Sequence, residues 1–205
     1  MYHFGIIGAG NIAHKFIEAV RMTKNADVTA VASKSLERAR DWAEKEGLSR
    51  YCDSYETLLA DPDIDIIYIA TLSNAHYDNI KACLEAGKHV ICEKPMTQTA
   101  SQAQEMITLA REKQLFLMEG MWSRFLPKSL RVRRWIQEGR IGELHLMQAN
   151  IGWKADKTYN KRLFYPELGG GSLYDIGIYP MELLPYYADQ KITQMQFFKK
   201  DYSTG

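Results

Sequence analysis

A glycine-rich turn near the start of the chain limits what this sequence can fold into. Phe4, Ile6 and Ile7 form a short apolar run typical of a buried parallel strand, and residues 8–13, Gly-Ala-Gly-Asn-Ile-Ala, follow it directly. The spacing matches the G-x-G-x-x-A pattern of dinucleotide-binding turns. In that pattern the first glycine allows a tight turn, the second lets the backbone approach a pyrophosphate, and the small third residue lets the next helix pack closely on the sheet.

Helical spacing continues beyond the turn. Ala13, Phe16, Ile17 and Val20 recur every three or four residues, which predicts a helix whose first N–H groups face the phosphates. Glycine-rich turns between a strand and a helix also occur without a ligand, but here the strand before and the helix after favour dinucleotide binding. The predicted contacts in the turn are Gly8, Gly10, Asn11 and Ile12.

Composition and charge argue against several classes of protein. The 205 residues include 46% hydrophobic and 25% charged residues, ordinary values for a soluble globular protein, and the net charge of +1 gives no reason to expect a nucleic-acid partner. No apolar run reaches the length of a membrane span, so no membrane partner is expected. Residues 1–3 lead directly into the predicted strand, which leaves no room for a signal peptide and predicts a cytoplasmic protein.

Cysteine and histidine spacing predicts no metal site. Cys52, Cys83 and Cys92 are odd in number and lack C-x-x-C spacing, so neither a disulfide framework nor a zinc site is expected, and a reducing compartment is the default. The five histidines do not cluster at the spacing of metal ligands.

The end of a second predicted strand, residues 28–33, bears on the choice of cofactor. It lies about 20 residues beyond the glycine turn, where an NAD-specific site usually has an acidic residue on the adenosine ribose. This chain has Ser33 and Lys34 there, with Arg38 one turn into the next helix. A hydroxyl and two cations suit a 2′-phosphate, so NADP is favoured over NAD. Alternatively, Lys34 and Arg38 belong to an ordinary solvated helix face.

Two further apolar runs, residues 64–70 and 89–92, predict strands whose carboxyl ends carry polar residues. Thr71, Asn74 and His76 follow the first run, at the edge where open α/β sheets bind their ligands. The alternative is a purely structural role, in which Ser73 or Asn74 caps the following helix. His76 falls in the first turn of that helix and could face solvent or the nicotinamide.

The second of these runs delivers Glu93-Lys94-Pro95 to the same edge of the sheet. Lysines usually lie on the surface, but a lysine between a strand end and a proline in a nucleotide-binding unit is less ordinary. A helix around residues 103–110 and a strand at 115–118 continue the alternation. This pattern over about 120 residues predicts a doubly wound parallel sheet of the Rossmann type, in a domain of residues 1–120.

The alternation breaks at residues 121–125, where we expect the crossover to a partial α+β second domain spanning residues 121–205. Pro127 predicts the start of a helix, and residues 144–153 and 192–199 predict strands. The polar segment 154–168 reads as a loop or a connection, in which Arg162 is a candidate for holding the loop in place.

A third polar cluster follows three consecutive glycines, residues 169–171. Ser172 is a suitable cap for the next helix, in which Asp175, Tyr179 and Glu182 are four and three residues apart and are expected to share a face. Polar residues at this spacing usually form a solvated face. The rest of the helix is apolar, however, so a polar stripe there is expected to have partners or a ligand.

Taken in order, these motifs resemble those of the Gfo/Idh/MocA oxidoreductase family. The residues that carry the resemblance span nearly the whole chain: 8–13, Asn74 with His76, Glu93-Lys94-Pro95, Met121-Trp122-Ser123-Arg124-Phe125 and 169–179. Tyr179, where many members have His, and residues 121–125 are most similar to the branch of dimeric dihydrodiol dehydrogenases and NADP-dependent D-xylose dehydrogenases.

The resemblance implies an NADP-dependent dehydrogenase of a sugar or vicinal diol. It implies a catalytic pair, Lys94 and Tyr179, with Asp175 orienting the substrate or the lysine. It further implies cofactor contacts from Thr71, Asn74, His76, Glu93 and Lys94, and a substrate site formed by Trp122, Arg124, Trp153 and Tyr179. Family members are usually longer, so we expect this chain to be C-terminally shortened and its full-length form to be a homo-oligomer.

The chemistry implied is reversible hydride transfer, in which a base takes the hydroxyl proton as the hydride leaves. A tyrosine phenol, with a reference pKa of about 10, can serve only if a neighbour such as the Lys94 ammonium favours the phenolate. Two alternatives stay open. One is a non-catalytic NAD(P)-binding regulator on the same scaffold, and the other is a redox-neutral sugar enzyme that oxidises and re-reduces its cofactor within one turnover.

Overall fold

The computed structural model describes residues 1–188, 191–198 and 200. The chain divides into two compact units, Met1–Gly120 and Met121–Gly205. Within the described ranges, every helix is too short or too polar to cross a lipid bilayer.

Strands and helices alternate throughout the first unit. In chain order they are β1 (Tyr2–Ile7), α1 (Asn11–Arg21), β2 (Ala26–Ala32), α2 (Leu36–Glu46), β3 (Arg50–Cys52), α3 (Tyr55–Leu59), β4 (Ile66–Ile69), α4 (His76–Glu85), β5 (His89–Cys92), α5 (Ala100–Glu112) and β6 (Leu117–Glu119). The strands form one parallel sheet in the order β3-β2-β1-β4-β5-β6. This order reverses direction between β1 and β4, which confirms the predicted Rossmann-type sheet.

Both faces of this sheet are covered by apolar clusters. Ile67 and Ile69 of β4 belong to one cluster, while Tyr68 between them belongs to the other, as the two-residue period of a strand requires. Cys83 and Cys92 are buried in the first cluster, and Cys52 on the edge strand is half-buried beside it; all three thiols are free. Burial on both faces explains why β4 and β5 read as short continuous apolar runs.

Two short elements of the first unit were missed by the sequence analysis. Strand β3 has only three residues, and α3 has five, begun by Ser54, whose Oγ accepts the Thr57 N–H. Neither is long enough to show a period. The strand predicted at 115–118 begins two residues later, at Leu117.

The second unit contains two α-helices, α6 (Pro127–Gln137) and α7 (Ile178–Ala188). Pro127 is the first residue of α6, as predicted. A π-helical turn, Leu173–Gly177, leads into α7, and short 3₁₀ turns lie at Trp122–Phe125, Lys161–Phe164 and Pro166–Leu168.

The two strands predicted in the second unit are wrong for the residues described. Residues 144–153 and 192–198 are irregular, and the described part of this unit contains no strand; Lys199 lies outside the described residues. A strand requires a hydrogen-bonded neighbour, whatever its own preference for extended backbone. Leu146 and Trp153 are 74% and 56% exposed, so the apolar residues that suggested a strand do not face a core here.

Candidate cofactor site and catalytic residues

The glycine turn after β1 lies against the end of β4. Gly8 has a φ of +104°, and a Cβ at this position would come within 2.9 Å of the carbonyl carbon and oxygen of Ala70. Both the backbone conformation and the close approach require glycine. The carboxyl ends of these neighbouring parallel strands are therefore held together at the edge where the sheet order reverses.

Gly10 is not explained by packing. Its φ of −116° suits any residue, and the nearest atom to a Cβ there would be the Ala70 carbonyl oxygen at 3.7 Å, an ordinary contact. Gly10 precedes α1, and within the described residues no side chain caps α1 and no acidic residue lies in its first turn. Open space beside an uncapped helix N-terminus fits the pyrophosphate of a dinucleotide.

The start of α2 lies close to the same turn. Ser35 caps α2 by accepting the Arg38 N–H, and Arg38 Nη2 donates to the Ala9 carbonyl oxygen at 2.7 Å. Ser33 is buried, whereas Lys34 is exposed. The Arg38 side chain is therefore tied to the glycine turn, next to the place where an adenosine ribose would lie.

A cavity of about 350 Å³ lies beside α2. It is lined by Ser35, Glu37, Arg38, Asp41, Trp42 and Lys45. The lining carries both signs of charge, with the cations Arg38 and Lys45 beside the carboxylates of Glu37 and Asp41.

His76, predicted to face either solvent or the nicotinamide, is completely buried instead. Its Nδ1 lies 2.8 Å from the Pro95 carbonyl oxygen, and its Nε2 lies 3.2 Å from the Thr71 carbonyl oxygen. Burial lowers the pKa of the imidazole below its usual value, against the two carbonyl contacts and the Glu119 carboxylate, which raise it. The side chain thus links the segments that follow β4 and β5.

The other residues after β4 form a 3₁₀ turn, Ser73–Ala75, that leads directly into α4. Thr71 Oγ1 accepts a hydrogen bond from Asn79 Nδ2 at 3.1 Å, which holds the start of the turn against α4. Asn74 is exposed beyond the carboxyl end of β4.

Glu93 and Lys94 follow β5. The Tyr68 hydroxyl donates to Glu93 Oε1 at 2.5 Å, and the Tyr68 ring stacks on Phe16 of α1, with ring centroids 3.8 Å apart. Burial raises the pKa of the Glu93 carboxyl above its usual value and raises that of the Tyr68 phenol. Lys94 is half-buried, and its bond to Pro95 is cis.

Tyr68 was missed by the sequence analysis, although a signal was present. It stands in the run Ile-Ile-Tyr-Ile of a strand that had to be buried. A buried tyrosine hydroxyl usually has a hydrogen-bond partner, so a tyrosine in such a run indicates a polar residue on a neighbouring strand end.

In the second unit, Trp122 and Tyr179 are in direct contact. Trp122 Nε1 donates to the Tyr179 hydroxyl oxygen at 3.0 Å, and the two rings meet edge to face with centroids 6.0 Å apart. A hydrogen bond donated to a phenol oxygen favours its ionised form. Trp122 therefore provides both an aromatic surface and a hydrogen-bond donor to Tyr179, the residue predicted to act as the base.

Arg124 and Glu182 form an ion pair in the same unit. The Arg124 carbonyl accepts the Tyr186 hydroxyl at 3.0 Å, and the Arg124 guanidinium lies 5.1 Å from the centre of that ring. These contacts fix residues 122–125 on α7. Trp153, also predicted for the substrate site, is 56% exposed in the irregular segment 144–153.

Asp175 is buried and paired with Arg162, whose Nη2 donates to it at 2.9 Å. The pairing explains how the polar segment before the glycines is held. Asp175 lies in the π-helical turn, whereas Tyr179 and Glu182 lie in α7, so the three residues belong to two kinds of helical turn and not to one α-helix. Ser172 has helical φ and ψ and does not cap by its side chain, contrary to expectation.

Comparisons with known proteins agree with this architecture. A family model described as "Oxidoreductase family, NAD-binding Rossmann fold" matches residues 2–121, and a GFO/IDH/MocA C-terminal domain model matches residues 129–203. The chain is 38% identical to a trans-1,2-dihydrobenzene-1,2-diol dehydrogenase of Xenopus tropicalis over 88% of this chain and 55% of the relative. It is 36% identical to the protein of the same name from Sus scrofa, over 98% of this chain and 61% of the relative.

Among solved structures, the chain is similar to the 3-ketoreductase KijD10 of Actinomadura kijaniata, crystallised with NADP and TDP-benzene. The TM-score is 0.84 at 32% identity, covering 91% of this chain and 57% of KijD10. The chain thus spans 55% to 61% of the length of these three proteins.

Proposed function

The chain belongs to the Gfo/Idh/MocA family of oxidoreductases, and on that premise we propose that it transfers a hydride between NADP and a hydroxyl group of a sugar or a vicinal diol. One observation carries the proposal. An uncapped helix N-terminus beside Gly10 and a lysine after β5 lie on the same edge of one parallel sheet. The substrate class and the cofactor are supported by two relatives, one named a diol dehydrogenase and one a 3-ketoreductase crystallised with NADP.

We propose that residues 1–120 bind the cofactor. The N–H groups at Asn11 and Ile12 would meet the pyrophosphate in the space that Gly10 leaves open. Lys34, next to buried Ser33, and Arg38, held against the glycine turn, would meet the 2′-phosphate of NADP. Asn74, Thr71 and Glu93 line the nicotinamide end of the same edge in this proposal, while buried His76 acts through the backbone.

Hydride chemistry is what the nicotinamide supplies when it is bound. The protein must move the hydroxyl proton, and we propose that Tyr179 accepts it during oxidation and returns it during reduction. The Trp122 N–H donates to the Tyr179 oxygen and so stabilises the phenolate. The Lys94 ammonium would add a positive charge and hold the substrate oxygen.

The remaining predicted residues take supporting roles in this proposal. Asp175 is paired with Arg162 and Arg124 with Glu182, so both act by holding the segments that carry Tyr179 and Trp122. Trp122 and Trp153 would form apolar walls for the substrate. We further propose that residues 121–205 contribute to the substrate site and to a homo-oligomer contact of the full-length protein, in the cytoplasm.

Two measurements on the full chain test the proposal. Titration with NADPH, followed by nicotinamide fluorescence, is expected to saturate; failure to saturate would remove the proposed function. Absorbance of the reduced cofactor, recorded with NADP and a panel of aldoses and cyclic vicinal diols, is expected to rise. Saturable binding without turnover of any substrate would identify the regulator instead.

Lys94→Ala separates catalysis from cofactor binding. We expect turnover to fall by at least about 10³-fold, because the variant loses the charge beside the reacting oxygen, while the NADPH dissociation constant stays within about threefold. Lys113→Ala, an exposed lysine just after α5, is the matched control and is expected to change neither. Equal loss of binding and turnover in Lys94→Ala would make Lys94 a cofactor ligand only.

A further inference from the structure

The segment Lys94–Met96 is held through its backbone by side chains from several parts of the first unit. The Lys94 N–H donates to Glu93 Oε2 at 3.3 Å, and the Pro95 carbonyl oxygen lies 2.8 Å from His76 Nδ1. The Met96 N–H donates to Glu119 Oε1 at 2.7 Å. A lysine in a loop is ordinarily mobile, but here the backbone on both sides of its side chain is fixed.

The bond between Glu119 and the Met96 N–H joins two residues that are far apart in the sequence. Glu119 is the last residue of the edge strand β6 and stands 23 residues beyond Met96. A glutamate at such a position ordinarily points into solvent, whereas this one is half-buried and accepts a backbone N–H. A carboxylate that accepts a backbone N–H forms a charge-assisted bond, which is stronger than a neutral one.

The residue after Glu119 shows how closely β6 approaches the end of β5. The Gly120 N–H donates to the Cys92 carbonyl oxygen at 2.6 Å, and a Cβ on Gly120 would lie 3.2 Å from that oxygen. Gly120 also approaches the Glu93 side chain, since the same Cβ would lie 3.4 Å from Glu93 Oε1. The end of β6 therefore contacts residues on both sides of Lys94, namely Cys92 before it and Met96 after it.

We propose that Glu119 is a positioning residue for Lys94, which it acts on by holding the Met96 N–H. The inference rests on the proposed function in so far as Lys94 meets the substrate oxygen. It adds a residue that carries no role in the hydride-transfer scheme above. Placement within about 0.5 Å decides whether a charged group aids a reaction, so a segment fixed by its backbone gives Lys94 a defined position at no cost during turnover.

Two variants of Glu119 distinguish positioning from general stability. Glu119→Gln keeps an oxygen acceptor for the Met96 N–H, whereas Glu119→Ala removes it. For Glu119→Ala we expect kcat to fall by about 10- to 100-fold, the scale for losing a charge-assisted bond, with the NADPH dissociation constant within about threefold of wild type. For Glu119→Gln we expect kcat within about threefold of wild type. Glu112→Ala, an exposed glutamate at the end of α5, controls for lost charge.

A readout that needs no turnover accompanies these assays. Hydrogen exchange of the Met96 amide, followed by NMR, is expected to be at least about tenfold faster in Glu119→Ala and unchanged in Glu119→Gln. Absent turnover in the wild-type chain would end the proposed function, yet the Met96 exchange would still decide whether Glu119 holds the segment. Unchanged Met96 exchange in Glu119→Ala overturns the inference, as does loss of kcat in Glu119→Gln equal to that in Glu119→Ala.

Discussion

The two units of the chain differ in how their backbone groups are hydrogen-bonded and in how far their apolar side chains are buried. In the first, six parallel strands pair with one another, and both sheet faces are covered by buried side chains. In the described part of the second, segments 144–153 and 192–198 form no strand, and Leu146 and Phe197 are 74% and 66% exposed. Consecutive βαβ units complete each other locally, whereas an extended segment depends on a neighbour that the same stretch of sequence does not supply.

The largest expected effect is a difference in local opening between these regions. The amide of Ile67, in central strand β4, is expected to exchange at least about 10³-fold more slowly than that of Ile151, because only the former is protected by the full free energy of unfolding. Hydrogen exchange followed by NMR measures both. Similar protection of the two amides would show that residues 144–153 are ordered by contacts as strong as those of the sheet.

Within the first unit, two neighbouring glycines are expected to separate folding from binding. Gly8→Ala places a Cβ 2.9 Å from the Ala70 backbone at a positive φ, so we expect a loss of about 3 kcal/mol in the free energy of unfolding. Gly10→Ala meets no such contact and is expected to stay within about 0.5 kcal/mol of wild type. Urea unfolding gives both values.

For NADPH affinity, by contrast, the variant expected to show a direct loss is Gly10→Ala. Gly10→Ala fills the space proposed for the pyrophosphate, so its NADPH affinity is expected to fall at least about tenfold although its fold is intact. An unaltered affinity in Gly10→Ala would mean that the turn does not cradle the cofactor.

A smaller effect is expected in the second unit. Trp122→Phe keeps an aromatic ring but removes the N–H that donates to the Tyr179 oxygen. We expect the pH at which kcat/KM reaches half its limiting value in the direction of oxidation to rise, because the Tyr179 oxygen loses a hydrogen-bond donor; solvent around the exposed Trp122 keeps this change small. An unshifted profile with reduced kcat/KM would leave Trp122 as a substrate contact only.

The smallest expected effect is on the preference for NADPH over NADH. Lys34→Ala should weaken NADPH binding by about 1 to 2 kcal/mol through the loss of a charge-assisted contact, and should spare NADH. Fluorescence titrations with both cofactors provide the ratio, and Lys24→Ala, another exposed lysine, is the control. If the ratio of the two affinities is the same in Lys34→Ala and wild type, the 2′-phosphate does not meet Lys34.

The first unit could be predicted from the sequence because its signals are local. The apolar run before Gly8, the runs at 64–70 and 89–92, and the glycines between elements each mark one strand or turn, and a parallel sheet puts their ends on one edge. The same reasoning brought Gly8, Thr71 and Lys94 to that edge. It could not show that His76 is buried, since its place in the first turn of α4 is compatible with either face.

Other features depend on contacts that no local pattern reveals. Glu119 meets Met96, which lies 23 residues earlier in the chain, and Arg162 meets Asp175 because the glycine run lets the chain fold back. The strand predictions in the second unit failed for a related reason. Alternation of apolar residues states a preference for extended backbone, and the preference becomes a strand only where a neighbour is in register.

The three free thiols of the first unit can report the order in which its parts unfold. Cys52 is half-buried on the edge strand β3, Cys83 is buried within α4, and Cys92 is buried at the end of β5, which lies between β4 and the other edge strand. Burial raises the pKa of the Cys83 thiol to about 12, so this sulfur is alkylated only after local unfolding exposes it to water. The order in which a maleimide alkylates the three thiols would therefore report which part of the first unit opens first, without any added label.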